Sequence, residues 1–295
     1  MCSSDDVQSQ IAEQRFKITR VGVTGVKKPI VVRRPWGDVT LNAEINVYVD
    51  LPSDQKGSHM SRNVEVTGEV VDKSVREPVE GLENLTADMC EILLERHEYA
   101  SYSEVEVSAD YFLERNSPEG RASLENYQIM AKAEAFRDGD MRKYIGVTAT
   151  GLNACPCAME SVKKKYIERY PELEDCLEKV PTITHNQRNK TTVMVEVPND
   201  EKIEVNNLID IIESSLSSST HEILKREDEA EVVIKAHENP KFVEDVVRDI
   251  LSKVLEEYDH FPDSTHIDVK SESEESIHKH NAFAERITTF GELRE

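Results

Sequence analysis

No glycine-rich phosphate loop is present: neither GxGxxG nor GxxxxGK[ST] occurs in the 295 residues. That excludes the dinucleotide-binding and P-loop classes, which cradle phosphates with backbone amides. Long apolar runs are also missing, and none approaches the length needed to span a bilayer. Basic residues are scarce, 36 Lys and Arg against 58 Asp and Glu, for a formal charge of -22. A general binder of nucleic acid or anionic membrane needs a basic footprint, so neither is an expected partner. Any anionic substrate must be held by a local basic pocket against the field of the whole protein. Cysteines are few and odd in number (Cys2, Cys90, Cys155, Cys157 and Cys176), without the spacing of a disulfide framework, which suits a reducing compartment. The first 14 residues are polar and acidic, and they lack the apolar core of a signal peptide. A soluble, cytoplasmic protein is the expectation.

What is present alternates. Segments 16–23 and 39–49 read as strands, the second with nearly strict apolar–polar alternation. A turn follows at 51–57, and residues 64–71 resume a strand. Between 78 and 99, Val79, Leu82, Leu85, Met89, Ile92 and Leu93 recur at helical spacing. Strands are expected at 103–112 and 126–136. The second half repeats the outline: strands at 144–150, 191–197, 267–270 and 282–288, and helices at 158–179, 205–216 and 242–258. Pro240 stands where the last helix begins. Strands grouped in pairs around helices predict an α+β fold with antiparallel sheet rather than a doubly wound one. The boundaries expected are a polar tail over 1–15, a first module over 16–140 and a second over 141–295.

Chemistry concentrates in a few places. Cys155-Pro156-Cys157 sets two thiols one residue apart, too close to bridge each other easily, and Pro156 stiffens the link. His185 follows in His185-Asn186-Gln187-Arg188. Thiolate and imidazole together suit a borderline-soft ion such as Zn(II) or Fe(II); the alternative is a pair of inert buried cysteines. Glu227, Asp228, Glu229 and Glu231 form a run that is either a solvated face or the source of a metal-site carboxylate. His278 and His280, read on a strand, face one side and are either ligands, proton carriers or an exposed pair. Gly57-Ser58-His59-Met60-Ser61-Arg62 is a hydroxyl-rich turn whose guanidinium can grip phosphate. Glu244 can take two parallel hydrogen bonds from a guanine edge, or pair with Arg248 one helical turn away.

Taken together, these motifs closely resemble the type IB GTP cyclohydrolases: Cys155-Pro-Cys157, His185-Asn-Gln-Arg, Leu224-Lys-Arg, Asn239-Pro-Lys-Phe-Val-Glu244-Asp, Glu275-Ser-Ile-His278-Lys-His280 and Gly57-Ser-His-Met-Ser-Arg. The stretch between Cys157 and His185 is similar to that of the archaeal, Fe(II)-dependent branch of methanopterin biosynthesis. The resemblance runs from about Phe16 to Thr289. It implies tandem tunnelling-fold modules, antiparallel sheets backed by helices, with a barrel completed across subunits of a homodimer or tetramer. It also implies the substrate, GTP, whose imidazole ring is opened at carbon 8 by metal-activated water. Formate leaves, and in the archaeal branch diphosphate and 7,8-dihydroneopterin 2′,3′-cyclic phosphate are formed. Carried over by motif, Cys155, His185 and Glu229 would hold Fe(II), with Zn(II) or Mn(II) as substitutes. Glu227 and Glu231 compete with Glu229. Cys157 would be the second functional thiol, His278 or His280 the acid–base, Glu244 the guanine anchor, and Arg62, Arg188 and His59 the remaining substrate contacts. The segment 160–184 is longer than in bacterial relatives and bears on where His185 sits.

Rival classes are separable. A zinc nucleobase deaminase needs H-x-E with P-C-x-x-C, which this thiol spacing does not supply. A tunnelling-fold nitrile reductase would keep Glu244 and one thiol but has no use for the second cysteine and the extra histidine. An acidic interaction scaffold would hold a fully ligated structural ion and leave GTP untouched.

Overall fold

The computed structural model describes residues 7–34 and 37–295. Cys2 and the first six residues of the predicted tail lie outside the described residues. The chain forms two compact units, each assembled from separate stretches of sequence.

The first unit takes the described residues up to Asp110, with Ile129–Ile145 and Glu196–Lys202. Strands β1 (Ile18–Arg34) and β2 (Gly37–Leu51) pair antiparallel along their length, from Ile18 opposite Leu51 to Arg34 opposite Gly37. Along β2, Leu41, Ala43, Ile45, Val47 and Val49 are buried, as alternation predicts for a sheet with one covered face. Helix α1 (Met60–Arg76) replaces the strand expected at 64–71. Its buried residues Asn63, Val66, Thr67, Val70, Val71 and Ser74 recur at three- and four-residue steps, so burial of one helical stripe overrides the β-propensity of its valines. Helix α2 (Leu82–Arg96) packs on α1 and buries Leu85, Met89 and Leu93, as expected. Strand β3 (Tyr102–Asn116) pairs with β2, and β4 (Ala122–Phe136) and β5 (Met141–Ala154) follow; each of these three contributes one part to either unit.

The second unit continues β3, β4 and β5 and adds helices α3 (Pro156–Arg169) and α4 (Glu174–Leu177), then strand β6 (Asn186–Glu196). The single helix expected over 158–179 is broken. Pro171 offers no N–H to continue the ladder and drives Tyr170 to φ -139°, out of the helical region. Helix α5 (Val205–Ser215), the two-residue strand β7 (Ser218–Ser219), and helices α6 (Arg226–Glu238) and α7 (Val243–Glu257) precede β8 (His266–Ser273), β9 (Ala282–Thr289) and the short α8 (Phe290–Arg294). Within this unit the order is β3-β4-β5-β6-β8-β9, with β7 on β5. Helix α7 packs on β8 and β9 through Val246, Val247, Ile250 and Val254, and α5 packs on α7. Asp228, fully buried, accepts from the Glu119 and Lys225 amides at 3.0 and 3.1 Å and pins the β3–β4 hairpin to the start of α6. The architecture is α+β, with antiparallel sheet backed by helices. No helix among the described residues is long and apolar enough to cross a membrane.

One buried group gives the first unit a pH signature. His97 has no exposed surface; its Nε2 lies 2.7 Å from Asn63 Oδ1 and its Nδ1 2.8 Å from the Tyr99 hydroxyl. Burial, reinforced by Arg62 and His59, pushes its pKa from 6.5 down to about 4. Over that window the unfolded chain binds a proton that the fold refuses, so stability present above about pH 6.5 is lost as pH falls toward 4. In His97→Gln this component vanishes. Urea midpoints followed from about pH 7 to about pH 4 should fall less steeply for the variant than for the wild type; parallel slopes would contradict this assignment.

Candidate active site

The site begins where β5 ends. Cys155 is the N-cap of α3, in extended backbone, and its Sγ accepts from the Ala158 amide at 3.4 Å. Pro156 takes the first helical position, where its missing N–H costs nothing. Both thiols are free, Cys155 half-buried and Cys157 exposed one residue further along the first turn. The Cys155 amide donates to the His185 carbonyl at 3.1 Å, and the Thr184 hydroxyl donates back to the Cys155 carbonyl at 2.7 Å. Thr182 adds a third tie, to the Met159 carbonyl at 2.8 Å. The long segment between thiols and imidazole thus loops out and returns, and His185 is set beside Cys155 despite the insertion.

Strand alternation then puts His185 and Gln187 on one face and Arg188 on the other. His185 Nδ1 lies 2.8 Å from Gln187 Oε1, and the Gln187 amide donates to Glu275 Oε1 at 3.2 Å. Glu275 Oε2 stands 3.6 Å from His185 Nδ1 and is buried without a hydrogen-bond partner among the described residues. Cys155, Gln187, Lys241, Glu244, Glu275 and His280 line one pocket of about 350 Å³, walled by Phe242 and Phe283. Glu244 lies in the first turn of α7. The surface pair that spacing allowed it is not formed, because Arg248 goes to Asp245 at 2.8 Å. Lys241 also lines the pocket and pairs with Asp249. His278 and His280 are not on a strand: they occupy the exposed β8–β9 loop, their rings stacked at 5.1 Å. The His278 ring meets that of His185 edge-on at 6.4 Å.

Other predicted residues lie elsewhere. Glu227, Glu229 and Glu231 are exposed on α6 and do not line the Cys155 pocket. Glu231 instead borders a hollow of about 420 Å³ with Arg115, His221 and Lys235. Arg188 is exposed on β6, where its carbonyl accepts from the Glu274 amide. His59 and Arg62 belong to the first unit, where His59 stands at the N-cap position of α1 and Arg62 donates to the Arg96 carbonyl at 2.8 Å. Among the described residues, no three His, Cys, Asp or Glu side chains stand close enough to hold an ion as placed. Sequence reasoning gave no role to Gln187, Lys241 or Glu275, although each sits inside a motif it singled out. Their shared pocket was the missing signal.

Comparison with known proteins accords with this geometry. A family model described as type I GTP cyclohydrolase folE2 matches residues 5–284. The chain is 44% identical to GTP cyclohydrolase MptA of Methanothermobacter thermautotrophicus, over 98% of this chain and 94% of that protein. It is 41% identical to the protein of that name from Methanococcus aeolicus, over 98% of both, and 43% identical to that of Methanococcoides burtonii, over 98% and 96%. Among solved structures, a uricase from Bacillus fastidious superposes with TM-score 0.52 at 10% identity, over 94% of this chain and 95% of that one. The uricase from Arthrobacter globiformis gives 0.50 at 9%, over 92% and 93%. These two likenesses concern the fold alone and match the expected tunnelling architecture. With nearly its whole length matched by the family and by relatives above 40% identity, the chain belongs to the type I GTP cyclohydrolases of the folE2 kind.

Proposed function

We propose that this protein is a GTP cyclohydrolase that opens the imidazole ring of guanine and releases carbon 8 as formate. The observation that carries this is the meeting of Cys155, Glu244, Glu275 and His280 around one pocket in a chain of this family. The donor chemistry of the pocket fits a divalent ion. Among the described residues Glu275 Oε2 is a buried acceptor without a donor, which is costly unless a cation meets it; the His185 imidazole lies 3.6 Å from it and the Cys155 thiol lines the same pocket. Cys155 and His185 would hold the ion with a carboxylate, either Glu275 at the pocket or Glu229, which the family resemblance puts forward. Fe(II) is the proposed ion, with Zn(II) or Mn(II) as substitutes, since this mixed donor set does not discriminate strongly. When bound, such an ion makes water acidic enough to attack near neutral pH.

The chain's own groups do the rest. Glu244 accepts from the N1–H and exocyclic amino group of guanine, fixing the purine plane between Phe242 and Phe283. One water adds at carbon 8 and the bond to one ring nitrogen breaks, leaving a formamide. A second water hydrolyses that formamide, breaks the other carbon 8–nitrogen bond and releases formate, and protons must reach both nitrogens. His278 or His280 is the proposed source of those protons, and Cys157, in the first turn of α3, is the proposed second thiol. Lys241 opposes the acidic field where phosphate would approach, with Arg188, Arg62 and His59 as further proposed substrate contacts. The proposed products are formate, diphosphate and 7,8-dihydroneopterin 2′,3′-cyclic phosphate, on the pathway to methanopterin. A homodimer or tetramer is proposed as the working form. Terminal strand β9 presents exposed Phe283 and Ile287, the kind of apolar edge that is normally covered.

Apo-protein incubated anaerobically with GTP and Fe(II) should release formate and a pterin that fluoresces after oxidation. Cys155→Ala should abolish both; full turnover by that variant would contradict the ligand role. Glu244→Gln should lower kcat/KM for GTP about 10- to 100-fold, the worth of a hydrogen bond to a charged group. It should also erode the preference for GTP over inosine triphosphate, which lacks the exocyclic amine. Unchanged discrimination would remove Glu244 from the guanine site.

A further inference from the structure

We infer that Gln187 is a positioning residue: its amide fixes the tautomer of His185, so that Nδ1 carries the proton and Nε2 keeps its lone pair free. The argument starts from Glu275. An ionised carboxylate only accepts, so the Gln187 group 3.2 Å from Glu275 Oε1 must be the NH₂,. The other end of the amide, Oε1, then points at His185 Nδ1 at 2.8 Å. A carbonyl oxygen cannot donate, so Nδ1 carries the proton. The remaining neighbours of Nδ1 agree: Ser276 Oγ at 3.5 Å and Glu275 Oε2 at 3.6 Å, the latter beyond hydrogen-bond reach. Glu275 is therefore not the direct partner of the imidazole, and the glutamine is the link between them.

Gln187 is itself locked. It is 8% exposed and sits on the inward face of β6. Below it lies a buried hydroxyl and amide ladder, where Asn189 Nδ2 donates to Ser271 and Ser273 at 2.8 and 3.0 Å and Thr191 donates to Asn189 Oδ1 at 2.6 Å. The orientation of the Gln187 amide itself is set by Glu275, because flipping it would turn its carbonyl oxygen onto a carboxylate oxygen, acceptor against acceptor,. A neutral imidazole left to itself favours the proton on Nε2, which would block that nitrogen as a ligand. Gln187 reverses the preference. The inference rests on the reading of His185 as a ligand, and its tests separate the two.

Nitrogen-15 ring spectra of the metal-free protein should show His185 protonated on Nδ1. Gln187→Leu should lose that signature and weaken Zn(II) binding, measured by chelator competition, by about 10- to 100-fold, the usual effect of removing a ligand's hydrogen-bond partner. Gln187→Glu keeps an acceptor for Nδ1–H and should hold both the tautomer and, within about threefold, the affinity. The inference is overturned if Gln187→Leu retains the Nδ1 tautomer, or if both variants lose affinity equally. If His185→Ala binds Zn(II) as tightly as the wild type, the ligand reading fails instead, while the ring spectrum still decides the role of Gln187.

Discussion

The site depends on a backbone latch. Cys155 and His185 are thirty positions apart, and between them the chain makes a helix, a proline break and a further short helix. Two hydrogen bonds, Cys155 amide to His185 carbonyl and Thr184 hydroxyl to Cys155 carbonyl, close that excursion. The latch ties the first turn of α3 to the first residue before β6, so thiol and imidazole are fixed by elements packed into the sheet. The sequence between them can lengthen at the surface without moving either, since the entropic cost of a longer loop rises only slowly with its length.

Around the latch, the strands change character along their length. The inward face of β6 runs from Val195 and Val193 through Thr191, Asn189 and Gln187 toward His185, and that of β8 from Ile267 and Val269 through Ser271 and Ser273 toward Glu275. The apolar ends anchor the sheet beneath α7, while the polar ends pair with one another. Buried hydroxyls and amides are tolerable only because they are satisfied in this way. They exchange some hydrophobic stabilisation for fixed orientation beside the candidate site. Lys241, paired with Asp249, brings one ammonium group to the same pocket, beside Glu244 and Glu275.

Much of this was legible in the sequence, and the failures have physical causes. The alternation of β2 and the spacing of Leu85, Met89 and Leu93 gave strand and helix correctly, because one face of each is buried. Residues 64–71 looked like a strand because valines alternate over a few positions; only the longer stripe from Asn63 to Ser74 shows the helix. Pro171 was visible, but an apolar rhythm across it suggested continuity. His278 and His280 come together by ring stacking in a loop, not by strand alternation. Spacing alone could not tell which acidic residues face the pocket. Glu244 and Glu275 do, while Glu229 sits out on α6; Gln187, which links Glu275 to His185, is a residue whose type gave no hint of a role.

The central claim is that a Cys155 sulfur and a His185 nitrogen bind the same ion. X-ray absorption at the zinc edge of the Zn(II)-loaded protein tests it most directly. The account predicts a sulfur scatterer at about 2.3 Å together with nitrogen or oxygen at about 2.0–2.1 Å, the sulfur disappearing in Cys155→Ser. A shell of nitrogen and oxygen alone in the wild type, or a sulfur signal that survives that substitution, would contradict it.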